Sequence, residues 1–433
     1  MSRPDPYFPD HGDTRYSVRH YDLELACRVD TNRIDGKAVL TAVAHEQLES
    51  IELDLGHFAV TRISVDGRRP RRFRHHHGRL RIDLASPVAA GQELVVAVGY
   101  RGSPRPMPGV LGDAGWEELT DGIIVAAQPY GAPSWFPCND RPDDKASYRF
   151  TVTAPAGYHV VANGTLLDSR RSASGATWVY DQPEPMSPYL ATVSIGRYAV
   201  QPLTAAVPMA VVLPGNRQVL LPSPFRRQPE MLDVFAELFG PYPFGGYTVV
   251  VTDDDLEIPL ESQAVSVFGA NFLTEDWASE RLVAHELAHQ WFGNAVTVPG
   301  WDDIWLHEGF ACYAEWIWSE RSGRESADEH ARAHHERLAD LPQDLVLGDP
   351  GATDMFDDRV YKRGALLLHT LRLTVGDETF WQVLSGWVDR YRYGTAGTPE
   401  FTALAEEVTG RSLADLFTAW LERPELPALP ATS

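Results

Sequence analysis

Hydrophobic and polar residues alternate along most of the first 200 positions of the chain. A two-residue period places every second side chain on one face of a β-strand, so it predicts strands with one buried face. The predicted strands are Tyr21–Val29, Lys37–Val43, Ile51–Leu55, Val60–Val65, Leu80–Leu84, Leu94–Tyr100, Tyr148–Ala154, His159–Ala162, Thr177–Tyr180 and Tyr189–Val200. Turn dipeptides such as Asp66-Gly67 separate them. We therefore expect an antiparallel, mostly β domain at the start of the chain.

The pattern changes near residue 203, where helical periods begin to mix with short strands. Two strands are predicted, at Tyr247–Thr252 and Leu260–Phe268. The predicted helices are Phe225–Phe239, one from Asp276 to Gly293, one from Asp302 or Asp303 to Gly323, Ser326–Leu338, an apolar helix after Tyr361, Phe380–Tyr391, Pro399–Val408 and Leu413–Leu421. This mixture is typical of an α+β domain, and we expect two domains, at residues 1–203 and 204–433.

One helical segment carries an H-E-x-x-H motif, formed by His285, Glu286 and His289. Residues four apart share a helix face, so both imidazoles can reach one zinc ion. A catalytic zinc site needs a third protein ligand and an open position for water. Glu308, after eighteen intervening residues, is the candidate for that ligand. A chance motif on an ordinary packed helix is the alternative, but buried histidines and carboxylates without a metal or partners would be costly.

Two further glutamates complete this picture. Glu286 lies one position round the same helix face, where it can act on water beside the metal without being a ligand. Glu315 follows Glu308 by seven residues, on the same face of the second helix, and is a candidate to orient a histidine ligand. The alternative for Glu315 is a position facing solvent.

The amino-acid composition limits which binding partners and which cellular compartment we expect. The chain has 60 acidic and 38 basic residues, a net charge of −22, which disfavours nucleic acid and anionic membranes as partners. Three scattered cysteines do not make a disulfide framework, and the first residues have no apolar signal segment, so we expect a cytoplasmic protein. The basic segment Arg71–His77 is interpreted as a solvated hairpin end, because adjacent histidines on a strand point to opposite faces.

The segments HELAHQWFGNAVT and WDDIWLHEGFACYAE resemble the zinc aminopeptidases of the alanyl-aminopeptidase and leukotriene-A hydrolase type. His307 departs from this resemblance, because the family has asparagine before the glutamate. WFPCND at Trp135–Asp140 extends the resemblance. The family resemblance implies a thermolysin-like, mainly helical catalytic domain with one zinc ion. Larger family members have a further C-terminal helical domain, and the resemblance implies a short form without it.

The resemblance also implies further site residues. Gln128 lies where the family has a glutamine that helps to hold the substrate's amino end. Glu261 matches the glutamate that binds the free ammonium group, although its flanking residues depart from the family motif. Glu257 and the aspartates Asp253–Asp255 are rivals for this role. Tyr361, in Tyr-Lys-Arg-Gly, matches the tyrosine that stabilises the oxyanion.

We therefore expect an aminopeptidase acting on peptides with a free N-terminus, with Glu286 and Tyr361 catalytic. Two alternatives stay open at this point. The same site could serve a zinc endopeptidase, or an enzyme with epoxide-hydrolase side activity. A non-catalytic binding or scaffold protein of the same fold is the alternative of another class.

Overall fold

The computed structural model describes residues 3–215 and 221–430 of the chain, which fall into two compact units. The first unit comprises Met1–Pro202, Pro208–Val219 and Phe244–Asn271, and the second comprises Leu203–Val207, Leu220–Pro243 and Phe272–Ser433. The strands lie in the first unit, except for the last residue of one of them, and the α-helices lie in the second. An N-terminal β domain followed by a mainly helical domain is the predicted α+β fold, which is confirmed.

The strands are β1 Tyr16–Arg28, β2 Arg33–Ala44, β3 Leu48–Asp54, β4 Ala59–Val65, β5 Arg72–His76, β6 Arg79–Val88, β7 Glu93–Gly102, β8 Met107–Gly109, β9 Gly112–Leu119, β10 Gly122–Ala126, β11 Ala146–Pro155, β12 His159–Ala162, β13 Thr165–Arg171, β14 Gly175–Met186, β15 Val193–Gly196, β16 Tyr198–Leu203, β17 Met209–Pro214, β18 Tyr247–Val251, β19 Leu260–Ser262 and β20 Val265–Phe268. Among the described residues they form a seven-stranded sheet (β13-β14-β11-β1-β2-β7-β4), two five-stranded sheets (β12-β15-β10-β9-β8 and β16-β17-β18-β20-β19) and a three-stranded sheet (β3-β6-β5). Most pairs are antiparallel, but β1 pairs with β11 in parallel, as β18 does with β17 and β20.

The first strand shows how the alternating pattern produces the sheet. Its buried positions are even-numbered at Tyr16 and Val18 and odd-numbered from Tyr21 onward. A bulge between Val18 and His20 causes this change of face. The strand therefore starts five residues before the predicted one, because a simple two-residue period does not anticipate a bulge.

Two strand predictions were wrong in detail. Tyr189–Val200 was predicted as one strand, whereas the structure has a 3-10 turn at Pro188–Leu190 followed by β15 and β16, which belong to different sheets. Leu260–Phe268 was predicted as a single strand, whereas the structure has β19 and β20 as an antiparallel pair. The turn between them includes Ala264 with a φ of +63°. Alanine rarely adopts this left-handed backbone, so nothing in the sequence marked a turn there.

The α-helices are α1 Ser223–Arg226, α2 Gln228–Phe239, α3 Trp277–Ala288, α4 Trp305–Arg321, α5 Ala327–Ala339, α6 Asp358–Val375, α7 Asp377–Tyr391, α8 Thr398–Thr409 and α9 Ala414–Phe417. Two begin at side-chain caps. The Asp276 carboxylate accepts a hydrogen bond from the Ser279 amide at the start of α3, and Ser326 forms a capping box with Glu329 at the start of α5. Tyr361, which was predicted to precede an apolar helix, lies inside the first turn of α6.

Helix α4 is the centre of the second unit, since every residue from Trp305 to Ser319 is buried. It crosses α6 at two glycines, and a Cβ atom added to Gly364 would lie 2.6 Å from the Cα atom of Gly309. The two backbones are therefore in contact, which holds the residues around Gly309 and Gly364 together.

This crossing gives the first prediction. Gly364→Ala should destabilise the protein by about 1–3 kcal/mol, because the added methyl group meets backbone and the helices must separate. The matched control is Gly386→Ala in α7, where the added Cβ has only Leu404 near it, at 3.9 Å. We expect the control to be neutral or stabilising by about 0.5–1 kcal/mol. Urea unfolding measures both, and equal effects would contradict the close helix crossing.

Candidate active site

Helix α3 presents three of the predicted site residues. His285 and Glu286 lie in its last turn, and His289 is the residue that caps its C-terminal end. The His289 amide donates to the His285 carbonyl at 3.2 Å, so helical spacing is kept between the two histidines. All three side chains are buried. The two imidazoles consequently share one face of the helix.

Glu308, in the first turn of α4, brings the third group to the same point. Its Oε2 atom lies 3.4 Å from Nε2 of His285 and 3.4 Å from Nε2 of His289. Among the described residues, this trio is the group of histidine, cysteine and acidic side chains that could hold a metal ion. Zinc bonds of about 2.0–2.2 Å in a tetrahedron place neighbouring ligand atoms about 3.3–3.6 Å apart. The donor set and its spacing therefore fit zinc.

The other ring nitrogens of both histidines have hydrogen-bond partners. Nδ1 of His285 lies 2.8 Å from Oε1 of Glu315, and Nδ1 of His289 lies 3.0 Å from the Phe292 carbonyl oxygen. Each Nδ1 therefore donates its proton, which leaves the Nε2 lone pairs directed at the metal position. When no metal is bound, burial lowers the pKa of His285, but its hydrogen bonds to Glu308 and Glu315 outweigh burial and raise that pKa to about 9.

Two basic side chains, which the sequence did not single out, surround the Glu315 carboxylate. Nη1 of Arg281 lies 3.2 Å from its Oε2 atom. Burial alone would raise the pKa of Glu315, but the charge of Lys362, the bond from His285 and the charge of Arg281 lower it to about 2. Glu315 is 4% exposed, so it does not face solvent. Arg281 stands four residues before His285, a spacing that could have indicated its position.

Tyr361 lies beside the metal-binding group. Its ring stacks on the imidazole of His285, with 5.9 Å between ring centroids and 19° between ring planes. The crossing of α4 and α6 explains this placement, because Tyr361 precedes Gly364 by one turn and Glu308 directly precedes Gly309. The structure thus brings Tyr361 together with the predicted ligands.

His307, the departure from the family pattern, has a clear structural position. It is buried, and its Nε2 atom accepts a hydrogen bond of 3.0 Å from the Val298 amide. The side-chain oxygen of an asparagine offers an acceptor of the same kind. His307 therefore retains an acceptor for the loop that joins the two metal-binding helices.

The predicted substrate residues Glu261 and Gln128 belong to the first unit. Glu261 lies on β19, the last strand of its sheet, and is half-buried, whereas its rival Glu257 is exposed. Nearby Asp254 already accepts hydrogen bonds from the amide and hydroxyl of Thr120. The Nε2 atom of Gln128 is buried and has no hydrogen-bond partner among the described residues, which is costly for an amide donor.

This arrangement of two histidines and a glutamate on paired helices is the type of site found in zinc peptidases. Comparison with known protein families gives the same class. The model of the peptidase M1 N-terminal domain matches residues 17–190, and the model of the peptidase family M1 domain matches residues 224–420. The chain belongs to peptidase family M1, and its cofactor is one catalytic zinc ion. This confirms the resemblance inferred from the sequence.

Individual relatives agree with the family. A leucyl aminopeptidase of Saccharolobus solfataricus is 24% identical over 95% of this chain and 54% of its own length. Aminopeptidase M1-D of Oryza sativa subsp. japonica is 26% identical over 72% of this chain and 38% of its own length. The chain thus spans about half the length, or less, of these curated relatives.

Solved structures match over the whole chain. The M1 zinc metallopeptidase of Deinococcus radiodurans superposes with a TM-score of 0.92 at 30% identity, covering 100% of both chains. A mutant of that enzyme bound to a Tyr-Ser-Ala substrate matches with a TM-score of 0.91. In the described part of our chain, no helix has the length and apolar character needed to cross a membrane.

Proposed function

We propose that this chain is an aminopeptidase, which hydrolyses the first peptide bond of peptides with a free N-terminus. The observation that carries the proposal is the convergence of His285, His289 and Glu308 at zinc spacing, with Glu286 in the same helical turn. Relatives named as aminopeptidases and the Tyr-Ser-Ala substrate of the Deinococcus enzyme support it.

We assign the zinc ligands as His285, His289 and Glu308. A zinc ion in such a site polarises the scissile carbonyl and lowers the pKa of water. Glu286 takes a proton from the attacking water and passes it to the leaving amine, first as general base and then as general acid.

Tyr361 donates a hydrogen bond to the oxyanion that develops on the scissile carbonyl. A phenol suits this role because it is a neutral donor that keeps its proton at pH 7. Its stacking on His285 fixes the ring beside the ligands. Glu315 in turn holds His285 in the tautomer that binds metal, and Arg281 and Lys362 keep its carboxylate charged.

Glu261, with Gln128, binds the ammonium group of the first residue of the substrate. A carboxylate that pairs with an ammonium group away from bulk water selects for a free N-terminus. The half-buried position of Glu261 supports this assignment over exposed Glu257. Gln128 contributes its side-chain oxygen, because its Nε2 atom is a donor and cannot accept a hydrogen bond from an ammonium group.

We also propose a cytoplasmic location and a domain division at residue 203. All three cysteines are free and buried, which fits a reducing compartment. The change from alternating to helical sequence pattern supports this division of the sequence, whereas the first compact unit also includes Pro208–Val219 and Phe244–Asn271.

The first test of the proposal is Glu286→Gln. The amide is isosteric but cannot accept the proton, so turnover of fluorogenic aminoacyl amides should fall by at least about a hundredfold. Zinc content, measured by atomic absorption, should stay at one ion per chain. Glu336→Gln, an exposed change on α5, is the control and should alter neither quantity. Near-normal turnover in Glu286→Gln would refute the proton-transfer role.

Removal of the proposed amino-terminal anchor tests substrate selection. Glu261→Gln should lower kcat/KM for aminoacyl amides by about 10–100-fold, since the ammonium group loses its ionic partner. The parent enzyme should cleave an N-acetylated substrate much more slowly than the same substrate with a free N-terminus. Glu257→Gln, four residues earlier and exposed, should behave like the parent. Equal cleavage of free and acetylated substrates would indicate an endopeptidase instead.

The role of Glu315 is tested on metal affinity. Glu315→Gln should weaken zinc binding by about 10–100-fold, because His285 loses the charged acceptor that fixes its tautomer. Competition with a chromogenic chelator measures the dissociation constant, again with Glu336→Gln as the control. An unchanged zinc affinity would assign Glu315 to packing alone.

A further inference from the structure

A band of exposed arginines lies in the first unit, on and beside β4 and β5. Eight arginines fall between residues 62 and 81, where the sequence has one acidic residue, Asp66. Arg79 and Arg81 form ion pairs with carboxylates of β3 and β6. The other six are exposed, and none forms an ion pair with a described residue: Arg62, Arg68, Arg69, Arg71, Arg72 and Arg74.

Part of this band lines a groove of about 540 Å³, here called the arginine groove, formed by Thr61–Ser64, Gly67 and Arg69–Phe73. Four of the lining side chains are arginines, and among the described residues no carboxylate lines it. Buried Ile63 adds an apolar surface, and the ring of Phe73 is 43% exposed. The carboxylate of Asp66 does not line the groove, and it accepts a hydrogen bond from the Val95 amide.

The groove lies along the edges of two sheets. β4 is the last strand of the seven-stranded sheet, and β5 is the last strand of the three-stranded sheet, as far as the described residues go. An edge strand offers backbone N–H and C=O groups to which an extended peptide can pair. The β4 part of the groove spans four residues, about 13 Å of extended chain.

Protection of these edges against aggregation does not account for the charge. β4 already carries a bulge between Val60 and Arg62, which protects its edge, and clustered like charges repel one another. Six unpaired guanidinium groups therefore form a surface that an anionic partner would stabilise. Guanidinium groups bind carboxylates in a bidentate manner, with two parallel hydrogen bonds.

We infer that the arginine groove binds an extended, acidic segment of another polypeptide, paired with the edge of β4. The net charge of −22 favours this partner over nucleic acid or an anionic membrane. A long polyanion or a charged lipid surface would also meet the acidic remainder of the protein, whereas a short segment is attracted locally, within about one Debye length. No groove residue belongs to the proposed active site, so this inference stands apart from the peptidase proposal.

The probe is a fluorescent, N-acetylated peptide of about ten residues that alternates glutamate and serine. Its binding to the full chain is measured by fluorescence anisotropy. Acetylation keeps the peptide from being an aminopeptidase substrate. The triple variant Arg69→Ser, Arg71→Ser, Arg72→Ser should bind it at least about tenfold more weakly than the parent. Turnover of aminoacyl amides should not change in this variant, which verifies that it is folded.

The matched control removes three exposed arginines elsewhere in the same unit, as Arg28→Ser, Arg33→Ser, Arg171→Ser. Net charge changes equally, so the control should keep the parent's affinity. A peptide that alternates glutamine and serine should not bind. The same glutamate–serine peptide with every backbone amide N-methylated should bind at least about tenfold more weakly, because it has no N–H group to donate to a strand edge.

Several results would overturn the inference. An equal loss in both triple variants would assign binding to bulk charge, and equal affinity for the N-methylated peptide would remove the pairing with β4. Tighter binding of oligothymidylate, or of vesicles rich in anionic lipid, would make the partner a nucleic acid or a membrane. An absence of peptide binding in the parent would leave the arginines as a solvated surface.

Discussion

A buried carboxylate held between two imidazoles is the constraint on which the second unit depends. Oε2 of Glu308 lies 3.4 Å from both Nε2 atoms, and all three side chains are buried. Without a cation at the centre, burial lowers the pKa of His285, but the Glu308 and Glu315 carboxylates favour its protonated form and raise that pKa to about 9. A zinc ion supplies the positive charge instead, which is why such residues gather where a metal binds.

The surrounding helices fix this arrangement from outside. The cap at Asp276 sets where α3 begins, and the contact between Gly309 and Gly364 sets the distance between α4 and α6. Behind the ligands, Glu315 is held between basic groups and directs the ring of His285. The position of the metal site thus follows from helix packing, and the orientation of its ligands follows from a second layer of charged hydrogen bonds.

The sequence was most informative where spacing on one element determines geometry. The four-residue interval between His285 and His289 already required a shared helix face, and alternating residues predicted the β domain. It was less informative where conformation depends on tertiary contacts. The bulge after Val18 and the turn at Ala264 have no residue signal, and the glycine crossing acquires meaning only when two helices meet. Arg281 and Lys362 were missed because their role depends on lying beside the Glu315 carboxylate, a proximity that only the packing of the helices creates.

The convergence of three ligands on one ion is tested most directly by anomalous diffraction at the zinc absorption edge, on crystals of the purified protein. A single strong peak is predicted, about 2.0–2.2 Å from Nε2 of His285, Nε2 of His289 and a carboxylate oxygen of Glu308. No peak there in zinc-supplemented crystals, or a peak that one of these residues does not reach, would contradict the metal site and the catalytic roles built on it.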